Sequence, residues 1–203
     1  MRRTRNLFGF CAVAYSRQLV TSPASRGIAD YCRLLEPRFK AIASHFMSII
    51  LRTIEFLALG LWLGSDVFLS FVVAPGAFRI LASRDQAGAM VGYGLWWMHM
   101  IGVVCGIAIL VSRLTRTRAF SGLVAPAGLC VLVMIGLTVV SQHAVSPRMA
   151  ALRVQMGSIQ ATAADSPLLT EFSRWHRVSV SLESGVLLGG LLALYFMIRE
   201  FGA

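Results

Sequence analysis

The chain has 203 residues, of which 57% are hydrophobic, with a mean hydropathy of +0.71 and a formal net charge of +10. This balance is typical of a membrane protein with several spans and excludes an ordinary soluble domain. The charge does not indicate nucleic-acid binding, because residues 1–46 alone supply +6 (eight Lys or Arg against Asp30 and Glu36) and most other basic residues flank apolar runs. We therefore expect a lipid bilayer, and no nucleic acid, as the partner.

Residues 1–46 form a basic extension without a clear hydrophobic period. Met47 opens the first apolar run, MSIILRTIEFLALGLWLG, as the first residue of a membrane protein would. The extension is therefore expected either to lie upstream of the true start or to be a disordered tail. Residues 47–200 are expected to form one transmembrane domain.

Four apolar runs predict membrane-spanning helices, because about 20 apolar residues are enough to cross a bilayer core. The expected spans cover residues 48–74, 90–111, 120–140 and 178–198. Pro75 and Gly76 are strong helix breakers, so the first span is expected to end there. Ser166 and Pro167 predict the start of a helix that continues without interruption through the fourth span.

The connection before the fourth span repeats apolar residues at helical spacing, namely Met149, Leu152, Met156 and Ile159. This pattern predicts a short amphipathic helix on the membrane surface or over the bundle. The predicted fold is therefore all-α, an integral membrane bundle of four transmembrane helices with a short amphipathic helix in the third connection.

Three arginines, Arg113, Arg116 and Arg118, crowd the short connection after the second span. An excess of Lys and Arg in a short loop favours the cytoplasmic side. With four spans, this predicts that both termini lie in the cytoplasm.

Polar side chains inside or beside the apolar runs are the candidate site. They are Glu55, Asp66, His99, His176, Ser179 and Glu183. Because successive spans alternate direction, Asp66, His99 and Glu183 fall on one side of the bilayer, and Glu55 falls in the opposite half. At 1.5 Å per residue, Asp66 and His99 lie roughly 12–14 Å below that surface, with Glu183 shallower.

Two interpretations of these residues stay open. Ionisable residues inside a membrane mark ion or substrate sites, so the cluster predicts binding of a metal, a proton or a small polar substrate. Histidines are the first candidates for metal ligands, and His99 is joined here by His143 and His176 near the interface. Alternatively, the polar groups form interhelical hydrogen bonds that only hold the bundle in register.

Glycine pairs recur at the spacing that lets helices approach closely. They are Gly60 with Gly64, Gly102 with Gly106, and Gly185 with Gly189. These seams predict helix packing, either within one chain or in a homo-oligomer.

The segment LWLGSDVFLSFVVAPGAF resembles the first-span signature of the bacterial domain-of-unknown-function 4149 family, which is similar to transmembrane-protein-205-like proteins. Ala87-Gly88 and the later stretch FSRWHRVS match the family's pattern as well. The resemblance covers residues 49–198, and its signature positions here are Trp62, Gly64, Pro75, His176 and Ser179. It implies a four-helix protein of a bacterial plasma membrane and supplies no established reaction.

A more distant similarity links the chain to copper-resistance D and haem-dependent protoporphyrinogen oxidase (HemJ-type) membrane proteins. In the haem-dependent group a histidine precedes the signature tryptophan by two helical turns. Glu55 stands at that position here. The resemblance therefore implies haem or copper as a cofactor only through other histidines.

The sequence thus favours binding, transport or homeostasis of a small molecule or ion by an intramembrane polar cluster, without catalytic residues and without a cofactor. The first alternative is a haem- or metal-dependent membrane oxidoreductase that uses His99 or His176 as a ligand. The second is a purely structural membrane component.

Overall fold

Long helices make up residues 23–202, the part of the chain that the computed structural model describes. In chain order the elements are α1 (Pro23–Phe68), a first π-helical turn (Leu69–Val73), α2 (Ala74–Ile80), α3 (Arg84–Thr117), α4 (Ser121–Val124), α5 (Pro126–Val140), a second π-helical turn (Ser141–Val145), α6 (Ser146–Met156) and α7 (Pro167–Gly202). These described residues contain no strand. The all-α prediction is confirmed.

The chain divides into two compact units, Met1–Ile50 and Leu51–Ala203. In the first unit, residues 23–46 are helical, although a disordered tail was expected. Alanine and arginine are frequent there and have high helix propensity, which explains the difference. The expectation for the residues before Pro23 lies outside the described part of the chain.

Four helical segments are long and apolar enough to cross a membrane, which confirms the predicted four spans. They are Ala41–Ile80, Arg84–Thr117, Pro126–Met156 and Pro167–Glu200, and we call them the first to fourth span. Each is longer than its sequence-based expectation, because the helices continue past the apolar runs. As predicted, the last helix begins at Pro167 and runs through the whole fourth span.

The first span does not end at Pro75-Gly76 but continues through α2 to Ile80. Proline cannot donate a backbone hydrogen bond, and its ring clashes with the carbonyl four residues earlier. The first π-helical turn widens the helix just before Pro75, with the Ala74 N–H donating to Leu69 O. This wider turn lets the helix pass the proline instead of breaking.

The third span also contains a π-helical turn just before a proline. The second π-helical turn precedes Ser146 and Pro147, and the Ser146 N–H donates to Ser141 O. The predicted amphipathic helix is α6, but it extends the third span instead of lying apart from it. Leu152 is buried, and α6 packs against α7.

The start of the third span also differs from the sequence-based expectation. The helix α5 begins at Pro126 and not at residue 120, because Ala125 has an extended backbone (ψ 150°) and proline favours the first helical turn. Phe120 precedes the separate short helix α4.

An apolar core holds the helices of the second unit together. It is built from Leu59, Trp62, Cys105, Ile109, Ala127, Val131, Met134, Val186, Ala193 and Met197. Large apolar side chains on all four spans are exposed on the outside, including Leu57, Val104, Val133 and Leu188. Such an apolar exterior on four long helices is a lipid-facing surface, and the protein is a multi-pass integral membrane protein.

Candidate functional site

A buried polar cluster forms around His99, roughly midway along α3. The His99 Nε2–H donates to Glu183 Oε1 at 2.8 Å, and His99 Nδ1 lies 2.7 Å from Gln142 Oε1. The Ser141 hydroxyl donates to the same oxygen of Glu183 at 2.9 Å. Asp66 lies within electrostatic range of both His99 and Glu183. We call Asp66, His99, Ser141, Gln142 and Glu183 the histidine cluster.

Burial separates the histidine cluster from water. His99 is 1% exposed, Asp66 is 2% exposed and Ser141 is fully buried. Asp66 Oδ1 accepts a hydrogen bond from Ser70 Oγ at 3.2 Å, but Asp66 Oδ2 and Glu183 Oε2 are buried without a hydrogen-bond partner. Thr138 Oγ1, one turn before Ser141, is a third unpartnered oxygen. Buried polar atoms are normally satisfied, so these three unsatisfied oxygens make this region the candidate functional site.

Both π-helical turns belong to this region. The first contains Ser70, the partner of Asp66, and the second contains Ser141 and Gln142. Single π-helical turns inside α-helices occur frequently at functional sites, because they change the direction of side chains locally. The second turn places Ser141 in the buried interior, whereas Ser70 of the first turn is exposed and reaches Asp66 from the side.

Trp62 separates the histidine cluster from the rest of the bundle. It is 1% exposed and packs against Gly102 and Gly106 on α3, where added Cβ atoms would lie 2.6 Å from Trp62 Cε2 and 2.9 Å from Trp62 Cζ3. Only glycine leaves room for the indole at these positions. The tryptophan therefore fills the interior of the bundle beside the helical turns that follow His99 on α3.

A second polar cluster lies at the other end of the bundle, about 21 Å away along α3 at 1.5 Å per residue. Arg113 Nη2 donates to both oxygens of Glu200 at 2.8 Å, and its Nη1 donates to Glu55 at 3.5 Å. Arg116 donates to both oxygens of Glu55, at 3.2 and 3.3 Å. We call Glu55, Arg113, Arg116 and Glu200 the arginine cluster.

The arginine cluster is balanced in charge and in hydrogen bonds. Two arginines face two glutamates, and the remaining Arg113 Nε–H donates to Gly122 O at 3.1 Å. None of its side-chain atoms is among the unsatisfied buried groups. The four groups join α1, α3 and α7 into one network.

The model of a family described as a domain of unknown function, DUF4149, matches residues 57–158. This is half of the chain. The protein belongs to the DUF4149 family. The matched segment contains Asp66, His99, Ser141 and Gln142, so most of the histidine cluster lies inside the family domain. No curated protein and no solved structure matches the chain.

The structure separates the predicted site residues into two groups. Asp66, His99 and Glu183 come together, although Glu183 was expected to be shallower than His99. Ser179 is buried one turn before Glu183 on the same helix face. The DUF4149 signature positions Trp62 and Pro75 act through packing and through the π-helical turn, whereas Gly64 has no neighbour within 4 Å of an added Cβ.

His143 and His176 do not join the histidine cluster, because both are exposed. His176 lies two turns, about 10 Å, before Glu183 along α7. At its level the contact from α6 is made by Arg148, whose guanidinium stacks at 4.5 Å on the ring of Trp175. The expected shared face of His176 and Glu183 therefore has no counterpart in the packing.

Sequence reasoning missed Ser141, Gln142, Arg113 and Arg116 as site residues. Ser141 and Gln142 were assigned to a connection, because the apolar run ends at Val140 and Pro147 follows closely. The continued apolar period through Ala144 and Val145 is the signal that could have extended the span. Arg113 and Arg116 were interpreted only as markers of topology.

The side chains of the histidine cluster are not arranged to bind haem or copper. Both ring nitrogens of His99 are engaged, one by Glu183 and one by Gln142, so an iron or copper ion would have to displace one of them. Glu55, which stands where the distant resemblance to haem-dependent proteins would place a histidine, is paired with Arg113 and Arg116. Among the side chains that the structure describes, no group of three His, Cys, Asp or Glu is arranged to hold a metal ion.

The glycine seams have different surroundings. Side chains of the same chain fill the space beside two of the three glycine pairs, Gly102 with Gly106 and Gly185 with Gly189. These side chains include Trp62, Leu137 and Met134. Gly60 and Gly64 are exposed and face open space. A homo-oligomer through a glycine seam stays a prediction, restricted to this last pair.

Proposed function

We propose that the protein binds a proton at the histidine cluster and carries it through its half of the membrane, so that its role is ion transport or homeostasis. The observation that carries the proposal is the pair of carboxylates Asp66 and Glu183, each with one buried oxygen that has no hydrogen-bond partner. Among the side chains that the structure describes (residues 38 and 41–200), no Lys or Arg lies within ion-pair distance of either carboxylate.

The net charge of the histidine cluster favours the binding of a positive charge. With both carboxylates ionised, the cluster has a net charge of −1 when His99 is protonated and −2 when it is neutral. Buried uncompensated charges are costly in a protein interior and more so inside a membrane. A proton on Asp66 or Glu183 removes one charge and supplies an O–H donor for an unpartnered atom.

The imidazole of His99 can pass this proton between two partners. Its two nitrogens point to opposite sides, toward Glu183 and toward Gln142. Histidine accepts and releases protons near neutral pH, which makes it the common relay group in proteins. The Gln142 amide serves either state of His99, because a half-turn of the amide exchanges its acceptor oxygen for its NH₂ donor.

The localisation belongs to the same proposal. We infer a bacterial plasma membrane from the family resemblance, with both termini in the cytoplasm because Arg113, Arg116 and Arg118 lie at the end of the second span. The histidine cluster then lies in the half of the protein that faces the outer side of this membrane.

The test is proton uptake by vesicles that contain the purified protein and an internal pH-sensitive dye, driven by a potassium diffusion potential. The wild type should acidify or alkalinise the lumen according to the sign of the potential. Asp66→Asn and Glu183→Gln should reduce the rate to that of protein-free vesicles. The matched control is Glu200→Gln, which alters a carboxylate of the arginine cluster and should retain uptake.

The outcomes distinguish proton transport from a purely structural role of the histidine cluster. Uptake by folded Asp66→Asn and Glu183→Gln at the wild-type rate would contradict the proposal, as would the absence of uptake by the wild type. If both variants fail to fold, the cluster is an interhelical hydrogen-bond network. Replacing sodium by choline in the buffer distinguishes a proton from an alkali cation.

A further inference from the structure

The guanidinium of Arg153, near the end of α6, is a charged group that the proposed function does not involve. Its Nη1 donates to Gly88 O on α3 at 3.0 Å, and its Cζ lies 5.4 Å from the ring centre of Phe172 on α7. The Arg153 side chain thus lies between three helices. It belongs neither to the histidine cluster nor to the arginine cluster.

Arg153 has no counter-ion among the described residues. None of their carboxylates lies within 4 Å of it, in contrast to Arg113 and Arg116. Asp85 is near enough to interact electrostatically, but its two oxygens accept hydrogen bonds from Ser158 Oγ (2.6 Å) and from the Ile159 N–H (2.7 Å). A half-buried cation without a partner is costly, so the position favours an anion supplied from outside the chain.

The Nε edge of the guanidinium has the donor geometry that binds an oxyanion. Arg153 Nε is buried and has no hydrogen-bond partner. Nε and Nη2 point the same way on the edge opposite to Nη1, and this pair of N–H groups is the fork that binds phosphate or carboxylate with two parallel hydrogen bonds. Nη2 lies 3.2 Å from the position that a Cβ would take at Gly88, so the glycine leaves the room that the guanidinium occupies.

The neighbourhood matches the chemistry of a membrane interface. Arg148, one and a half turns before Arg153 on α6, stacks on Trp175, and Arg153 lies on Phe172 of the same facing helix. Paired arginines and aromatic rings of this kind occur where anionic lipid headgroups meet a protein.

We propose that Arg153, with Gly88, forms a binding site for a phosphate group, supplied either by the headgroup of an anionic phospholipid or by free phosphate. The site is independent of the proposed proton pathway. It accounts for the orphaned Nε atom and for the missing counter-ion with one ligand.

The test uses the full chain in mild detergent, after removal of bound lipid. Native mass spectrometry with added phosphatidylglycerol measures the lipid source, and thermal unfolding with added inorganic phosphate measures the free anion. The wild type should bind at least one of the two. Arg153→Lys keeps the charge and a donor for Gly88 O but loses the fork, so it should bind about tenfold more weakly.

Two further variants keep the test independent of folding. Gly88→Ala adds a Cβ against Nη2 and should also weaken binding, although the charge is intact. Arg148→Lys makes the same chemical change at an exposed arginine and should bind as the wild type does. Binding of the lipid alone identifies a headgroup site, and binding of phosphate alone identifies a soluble-anion site.

The proposal is overturned if the wild type binds neither probe. It is equally overturned if Arg153→Lys and Gly88→Ala bind as tightly as the wild type.

Discussion

The histidine cluster and the arginine cluster contain the same kinds of group but differ in how these groups are paired. In the arginine cluster, two glutamates meet two arginines and every buried atom has a partner. In the histidine cluster, two carboxylates share one histidine and leave two oxygens unsatisfied. We therefore expect the cluster with unsatisfied carboxylate oxygens, and not burial of charge alone, to mark the functional region.

Their positions add a second difference. The arginine cluster lies where α3 and α7 end, and it ties α1, α3 and α7 together. The histidine cluster lies roughly midway along α3 and α7, beside two π-helical turns. We therefore assign structural stability to the arginine cluster and proton binding to the histidine cluster.

The largest effect on stability is expected from Arg113→Ala. This change leaves Glu55 and Glu200 without their shared partner, and removing one member of a buried ion pair costs about 3–5 kcal/mol. The measurement is the free energy of unfolding in detergent and denaturant. A loss below about 1 kcal/mol, typical of exposed ion pairs, would remove the structural role of the arginine cluster.

Glu55→Gln should cost less, about 2–3 kcal/mol, because glutamine still accepts hydrogen bonds from the two arginines. Its matched control is Glu200→Gln. Glu200 is 31% exposed against 3% for Glu55, so solvent screens its interaction and a loss within about 1 kcal/mol is expected. Equal losses for the two variants would show that burial does not govern the network.

Gly102→Ala tests the tryptophan between the two clusters. The added methyl group would collide with the buried Trp62 ring, and overpacking of this kind costs about 1–2 kcal/mol. Gly64→Ala is the control, because nothing lies within 4 Å of its added Cβ. Thermal unfolding of both variants gives the comparison, and a stable Gly102→Ala would mean that Trp62 is free to move.

The smallest effect on stability is expected from Glu183→Gln, within about 1 kcal/mol of zero, because the change removes a charge that no Lys or Arg neutralises, while the glutamine amide oxygen can still accept hydrogen bonds from His99 and Ser141. The same variant should lose proton uptake. This combination, normal stability with lost function, is the reverse of the result expected for Arg113→Ala. A loss of several kcal/mol would make Glu183 a structural residue like Glu55.

Much of the fold follows from hydropathy, since four apolar runs with breakers between them leave few alternatives to a four-helix membrane protein. The alternation of spans also places Asp66, His99 and Glu183 on one side before any coordinates are known. The sequence does not reveal that the helices pass Pro75 and Pro147, because proline usually ends a helix and a π-helical turn has no clear sequence signal.

The partners of the charged residues were harder to predict for another physical reason. Arg113 and Glu55 are far apart in sequence, and their pairing depends on how α1 and α3 pack in three dimensions. Likewise, the bond between His99 and Gln142 depends on the second π-helical turn, which extends the third span by the residues that face His99. Periodicity identifies helix faces but not which faces meet.

The measurement that tests the central claim most directly is infrared difference spectroscopy of the purified protein across a pH titration. A buried protonated carboxyl group absorbs separately from ionised carboxylates, so its formation and loss can be followed. The account predicts such a band in the wild type and in Glu200→Gln, and its disappearance in Asp66→Asn or Glu183→Gln. A band that persists unchanged in both Asp66→Asn and Glu183→Gln, or no band in the wild type, would contradict a proton held by the histidine cluster.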